Sequence, residues 1–176
     1  MNAKNVNYVN YDEYLNDLTK SLSNFCSKCP LKPTMKVVKP LGLIYVCYDD
    51  EELEIKVDVN MNKKDVIGEI KKELEQDYPI IYKKTSKIPN AEEVQKLLDK
   101  GISLSEALNT TQIVYEKVYR IERIHDRYNE IDCLDSNNEL YKFKCKIPIM
   151  AILEDLKFNG KESDVLSNLT LLYKLG

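Results

Sequence analysis

Apolar positions recur at three- and four-residue spacing through Tyr11, Tyr14, Leu15, Leu18, Leu22 and Phe25, which predicts a helix over roughly 11–24. It ends in CSKCPLKP, where Pro30 and Pro33 forbid continuation. A strand is expected at about 41–48 (LGLIYVCY), followed by an acidic turn at 49–52. The pattern then alternates, with Leu53, Ile55, Val57 and Val59 on one face and Glu54, Lys56 and Asp58 on the other. Such alternation marks a half-buried antiparallel partner, so the two strands make a hairpin. Asn62 caps a predicted helix over 63–76 with Val66, Ile67, Ile70 and Leu74 as its apolar stripe and Lys/Glu pairs outside.

PIIYKK (79–84) is a short strand candidate and TSKIPN a loop. Asn90 with Glu93, and Ser103 with Glu106, each give a capping-box-like helix start, and Gly101 stops the first of these two helices. Residues 109–128 point both ways. Their β-branched and aromatic content favours a strand, whereas Val114, Val118, Ile121, His125 and Tyr128 follow a helical seam. Because Val118, Tyr119, Ile121 and Ile124 do not alternate, the expectation is a helix, with a three-stranded meander over 113–147 as the runner-up. NEIDCL, a DSNN turn and LYKFKCKI then predict a hairpin with Tyr141, Phe143, Cys145 and Ile147 inward and Lys142, Lys144 and Lys146 outward. Pro148 begins a helix with Ile149, Ile152, Leu153 and Leu156, and a last helix is expected over 162–175 with Val165, Leu166, Leu169, Leu172 and Tyr173.

The elements follow one another without a linker. The reading is therefore a single compact α+β domain: an N-terminal helix and hairpin (1–61), a central unit (62–147) and a C-terminal helical pair (148–176). At 176 residues and 43% apolar content the chain can bury a core without disulfides. Heavy Lys/Asn/Ile/Tyr usage without tryptophan resembles an AT-rich coding sequence and fits a mobile element, virus or AT-rich microbe. The net charge of -3 excludes a general polycation, so nucleic-acid contact requires a local patch. No run of 18 apolar residues and no signal-peptide pattern occurs, which makes no membrane and a cytoplasmic or host-cell location the expectation.

All three arginines, Arg120, Arg123 and Arg127, and the single histidine, His125, fall within eight residues. On a helix the three guanidinium groups share one face; on a strand they split between two. Ion pairing to Glu116, Asp126 and Glu130 is the structural explanation for the cluster, and a phosphate or carboxylate partner suited to arginine's planar fork is the functional one.

The order helix, short strand, helix, tight glycine turn, helix, hairpin over 63–147 resembles a winged-helix DNA-binding domain. The residues that carry the resemblance are LLDKGISLSEAL, VYEKVYRIERI and NEIDCLDSNNELYKFK. It implies that Arg120, Arg123, Arg127 and Lys117, with Lys142, Lys144 and Lys146 on the wing, contact phosphates, while Ser105, Asn109, Thr110, Thr111 and Gln112 reach base edges. The middle helix is short for the pattern.

Cys26-Ser-Lys-Cys29 has the spacing of a zinc knuckle and Cys47 offers a third thiolate, but the sequence places no fourth ligand, so no cofactor is expected. One histidine, no phosphate-cradling glycine loop and no nucleophile elbow leave little basis for an enzyme. The functional expectation is a non-enzymatic nucleic-acid-binding or regulatory protein. The alternative is an adaptor or inhibitor that docks on a protein partner. A homodimer through the C-terminal helices is a further option.

Overall fold

Helix α1 (Tyr11–Lys28) buries Tyr14, Leu15, Leu18, Leu22 and Cys26 along the predicted stripe. The stripe meets a three-stranded antiparallel sheet in the order β1 (Thr34–Val38), β2 (Leu43–Tyr48) and β3 (Glu51–Lys56), and helix α2 (Lys63–Leu74) closes the layer with Val66, Ile70 and Leu74. The computed structural model describes residues 11–110 and 112–175. Asn62 caps α2 as expected, its side-chain oxygen accepting from the Lys64 N–H at 2.8 Å. Gly42, at φ +63°, has no substitute here. A Cβ on it would lie 2.5 Å from the Tyr11 hydroxyl and 2.7 Å from the Val57 carbonyl.

The second layer is a five-stranded antiparallel sheet in sequence order: β4 (Ile80–Lys87), β5 (Gln112–His125), β6 (Glu130–Leu134), β7 (Leu140–Cys145) and β8 (Leu169–Leu175). One face holds the second core, in which Ile81, Ile121, Ile124, Ile131, Cys133 and Phe143 pack against Ile149, Ile152 and Leu156 of helix α5 (Ile149–Asn159). Tyr119 meets Phe143 edge-on at 4.9 Å between ring centres. The other face turns towards the first layer. Ion pairs tie the layers together: Lys71 to Glu122 at 3.2 Å, Lys157 to Asp49 at 2.9 Å, and Lys32 to Asp126. Between β4 and β5 stand the short helices α3 (Ala91–Asp99) and α4 (Leu104–Asn109), capped by Asn90 and Ser103, with Gly101 at φ +88° in the turn.

Two expected helices are strands instead, for one shared reason, while Thr85–Lys87 of the expected loop extend β4 and β1 is an addition. Residues 112–125 are strand β5, not helix; the runner-up meander forms and is extended by β4 and β8. A bulge between Ile121 and Arg123 shifts the register, so that Ile121 and Ile124, three residues apart, both enter the second core. Residues 169–175 likewise form β8 in place of a last helix. There the shift between Lys142 and Phe143 sets Leu171 opposite Phe143 and Tyr173 opposite Lys142, leaving Leu172 as the extra residue. In both strands a bulge turns two-residue alternation into three-residue spacing, which reads as helical.

The consequences reach the central unit. Helix α2 packs in the first core while α3 and α4 pack on each other, and a winged-helix arrangement of residues 63–147 is not confirmed. The hairpin β6–β7 lies inside the sheet, flanked by β5 and β8, rather than free as a wing. The C-terminal helical pair and the dimer surface it offered reduce to α5 alone.

Candidate functional site

The bulge that disguised β5 also sorts the arginines. Arg120 and Arg123 lie on the sheet face opposite the second core, and Arg127 follows in a short 3-10 turn, with its guanidinium 5.6 Å from the Tyr128 ring. Arg120 is a structural group. Its guanidinium donates to Glu122 at 2.9 and 3.1 Å, lies 3.8 Å from Glu75 and sits 5.9 Å above the Tyr78 ring. Glu122, only 9% exposed, is held from its other oxygen by Lys71. The partners are thus Glu122 and Glu75, not Glu116. Arg123 is exposed and has no ion pair among the described residues.

The remaining nucleic-acid candidates do not converge. His125 Nε2 lies 3.0 Å from Asp132, a carboxylate 3% exposed that Lys142 approaches at 3.8 Å, and Lys142 also faces Glu130 and the Tyr173 ring. The Lys144 ammonium donates to the Tyr128 carbonyl. Lys117 and Lys146 are exposed on separate strands or strand ends, whereas Ser105, Asn109 and Gln112 are exposed around α4; Thr111 lies outside the described residues. Tertiary pairing has therefore taken up Arg120 and Lys142, and the phosphate row expected along a recognition helix and wing does not form.

Two other features stand out. The first is an arm: the distal pairs of the β4–β5 ribbon (Thr85 with Val114, Ser86 with Ile113, Lys87 with Gln112), carrying the α3–α4 hairpin at its end. Pro89, Val94 and Ala107 are buried in it, and none belongs to the two cores. Ile88 (74% exposed), Leu104 (55%) and Leu108 (53%) face solvent, with Ile113 and Val114 on the ribbon, and Leu104 and Leu108 are one helical turn apart. Residues 85–114 hold three lysines and four carboxylates, so the arm is nearly neutral.

The second feature is a cleft of about 480 Å³ where the layers meet. One stripe of α1 (Ser21, Asn24, Phe25, Lys28) and one stripe of α2 (Lys64, Ile67, Gly68, Lys71) form walls, and Cys29, Tyr78, Glu122 and Arg123 complete the lining. Four cations thus face one carboxylate in a chain whose net charge is -3. Lys28, Lys64 and Arg123 have no ion pair among the described residues, and Glu122 is already held by Lys71 and Arg120. Gly68 stands inside α2, where glycine costs about 1 kcal/mol relative to alanine, yet a Cβ there would meet nothing within 4 Å. The cleft was missed in the sequence because its residues come from three segments; the one local signal was the mid-helix glycine in KKDVIGEIKK.

The cysteines are thiols in apolar surroundings. Burial pushes Cys26 up to about 11, raises Cys29 and holds Cys133 well above its ordinary value, while Cys145 rises to about 11. The Cys29 thiol donates to the Tyr78 hydroxyl at 3.8 Å. Among the described residues no three His, Cys, Asp or Glu side chains gather as a metal site, so Cys26, Cys29 and Cys47 are not brought together as ligands. No described helix is long and apolar enough to cross a membrane. Comparison with protein-family models, curated proteins and solved structures finds no match to the chain, and its functional reading rests on these residues alone.

Proposed function

We propose that this chain is a non-enzymatic regulatory protein, of the adaptor or inhibitor kind, which acts by docking its arm on another protein. The observation that carries the reading is the set of large apolar side chains, Ile88, Leu104, Leu108, Ile113 and Val114, exposed on the arm outside both cores. Exposed large apolar residues that share a face mark interaction surfaces, as Leu104 and Leu108, one helical turn apart on α4, do here. The arm's near-neutral charge favours a partner with an apolar groove over a polyanion, because phosphate recognition draws its affinity from uncompensated cations. The nucleic-acid reading has less support, since Arg120 and Lys142 are engaged within the fold.

The test is site-specific photo-crosslinking of the full chain in its own cells, with the photoreactive residue at Leu108 and, as control, at the exposed Glu69 of α2. The expected result is discrete protein adducts from position 108 that disappear when Leu104 and Ile113 are changed to serine. Absence of adducts, or equal adducts from position 69, would overturn the reading. Nuclease-sensitive adducts would return the function to nucleic-acid binding.

A further inference from the structure

We propose that the cleft between α1, α2 and β5 is a binding site for a small phosphate-bearing molecule. The cations set the ligand's charge. Lys28 and Lys64 enter from opposite helices and Arg123 from the sheet, and none has an ion-pair partner among the described residues. Glu122 does little to offset them, because both of its oxygens are engaged by Lys71 and Arg120. Uncompensated like charges repel one another, and a concave site with low-dielectric walls focuses their field. An anion in the cleft relieves that repulsion, and the Arg123 fork matches two oxygens of a phosphate group.

The walls set the rest of the ligand. Phe25 and Ile67 give apolar surface, and Gly68 leaves open the space a side chain would fill, so an organic group can lie against α2 while its phosphate meets the cations. The volume of about 480 Å³ suits a small molecule. The site is separate from the arm, so either proposal can fail alone.

The experiment is titration of the full-length protein with inorganic pyrophosphate, adenosine monophosphate and, separately, a short single-stranded oligonucleotide, followed by backbone amide shifts. Saturable shifts within 21–28, 64–71 and at Arg123 are expected with pyrophosphate or the nucleotide at millimolar concentration or below. Tighter binding of the nucleotide would assign the apolar wall to its organic part, and equal binding would assign the site to the phosphate alone. Arg123→Ala and Gly68→Leu should each weaken binding at least tenfold. Gly68→Leu fills the cleft from an open helical position and should keep or raise the thermal midpoint, which separates lost binding from lost folding. The proposal is overturned if no small anion gives saturable shifts, if sodium chloride reproduces them, if both variants bind normally, or if only the oligonucleotide binds.

Discussion

Asn129 joins the β5–β6 corner to the start of α5, and removing its side chain should cost more than any single surface change. Its amide nitrogen donates to the Cys145 carbonyl at 2.7 Å and the Ile147 carbonyl at 3.1 Å, while its oxygen accepts from the Ile149 N–H at 3.1 Å. That last donor is an orphan of the first helical turn, because Pro148 in the cap position has no side chain to satisfy it. Asn129 also holds φ +52°, a left-handed conformation that asparagine tolerates better than alanine. Three hydrogen bonds at about 1 kcal/mol each, with roughly 1 kcal/mol from the backbone, put Asn129→Ala at about 3–4 kcal/mol. With a urea slope of about 2 kcal/mol/M the unfolding midpoint should fall by about 1.5–2 M. Asn129→Gly should recover the backbone part and none of the hydrogen bonds. A fall below about 0.5 M for the alanine variant would refute the assignment of these bonds as structural.

Gly68→Ala should stabilise α2 by about 1 kcal/mol, a rise of roughly 2–4 °C in thermal midpoint, since the new methyl enters open space; calorimetry checks it, and a loss would mean the helix is strained there. Arg120→Ala should cost about 2 kcal/mol because Glu122 loses a charged hydrogen-bond partner, whereas Arg123→Ala should stay within about 0.5 kcal/mol, both read from urea midpoints. Alkaline pH should destabilise the fold. Cys26 and Cys145 are raised from 9.0 to about 11 and Tyr14 from 10.0 to about 12 by burial, so their protonated forms favour the native state fully below the ordinary values, and that contribution is lost as pH rises through the raised ones. Unfolding midpoints at about pH 8 and pH 10.5 test the sign. Amide exchange should show the arm, residues 85–110 and 112–114, opening well below the global unfolding free energy, while Ile121, Ile124 and Ile131 exchange near it; uniform protection would argue that the arm is part of the core.

Local chemistry determined much of the framework. The stripe through Tyr14, Leu18 and Leu22, the alternation in β3, the caps at Asn62, Asn90 and Ser103, and the lysine alternation in β7 each act over a few residues, so the sequence alone placed α1 to α5 and the β2–β3 and β6–β7 hairpins. Strand β1 gave no such signal; its place comes from pairing with β2. The tertiary structure decided β5 and β8, because a bulge inserts one residue relative to a partner strand and a single strand's pattern cannot show where its partner slips. It also decided the candidate sites. Whether Arg120 becomes an internal ion pair and Arg123 an unpaired cation in a cleft depends on Glu122, Lys71 and Lys64, groups held in place by the packing of two cores; charge acts through space, and the sequence fixes only the order along the chain.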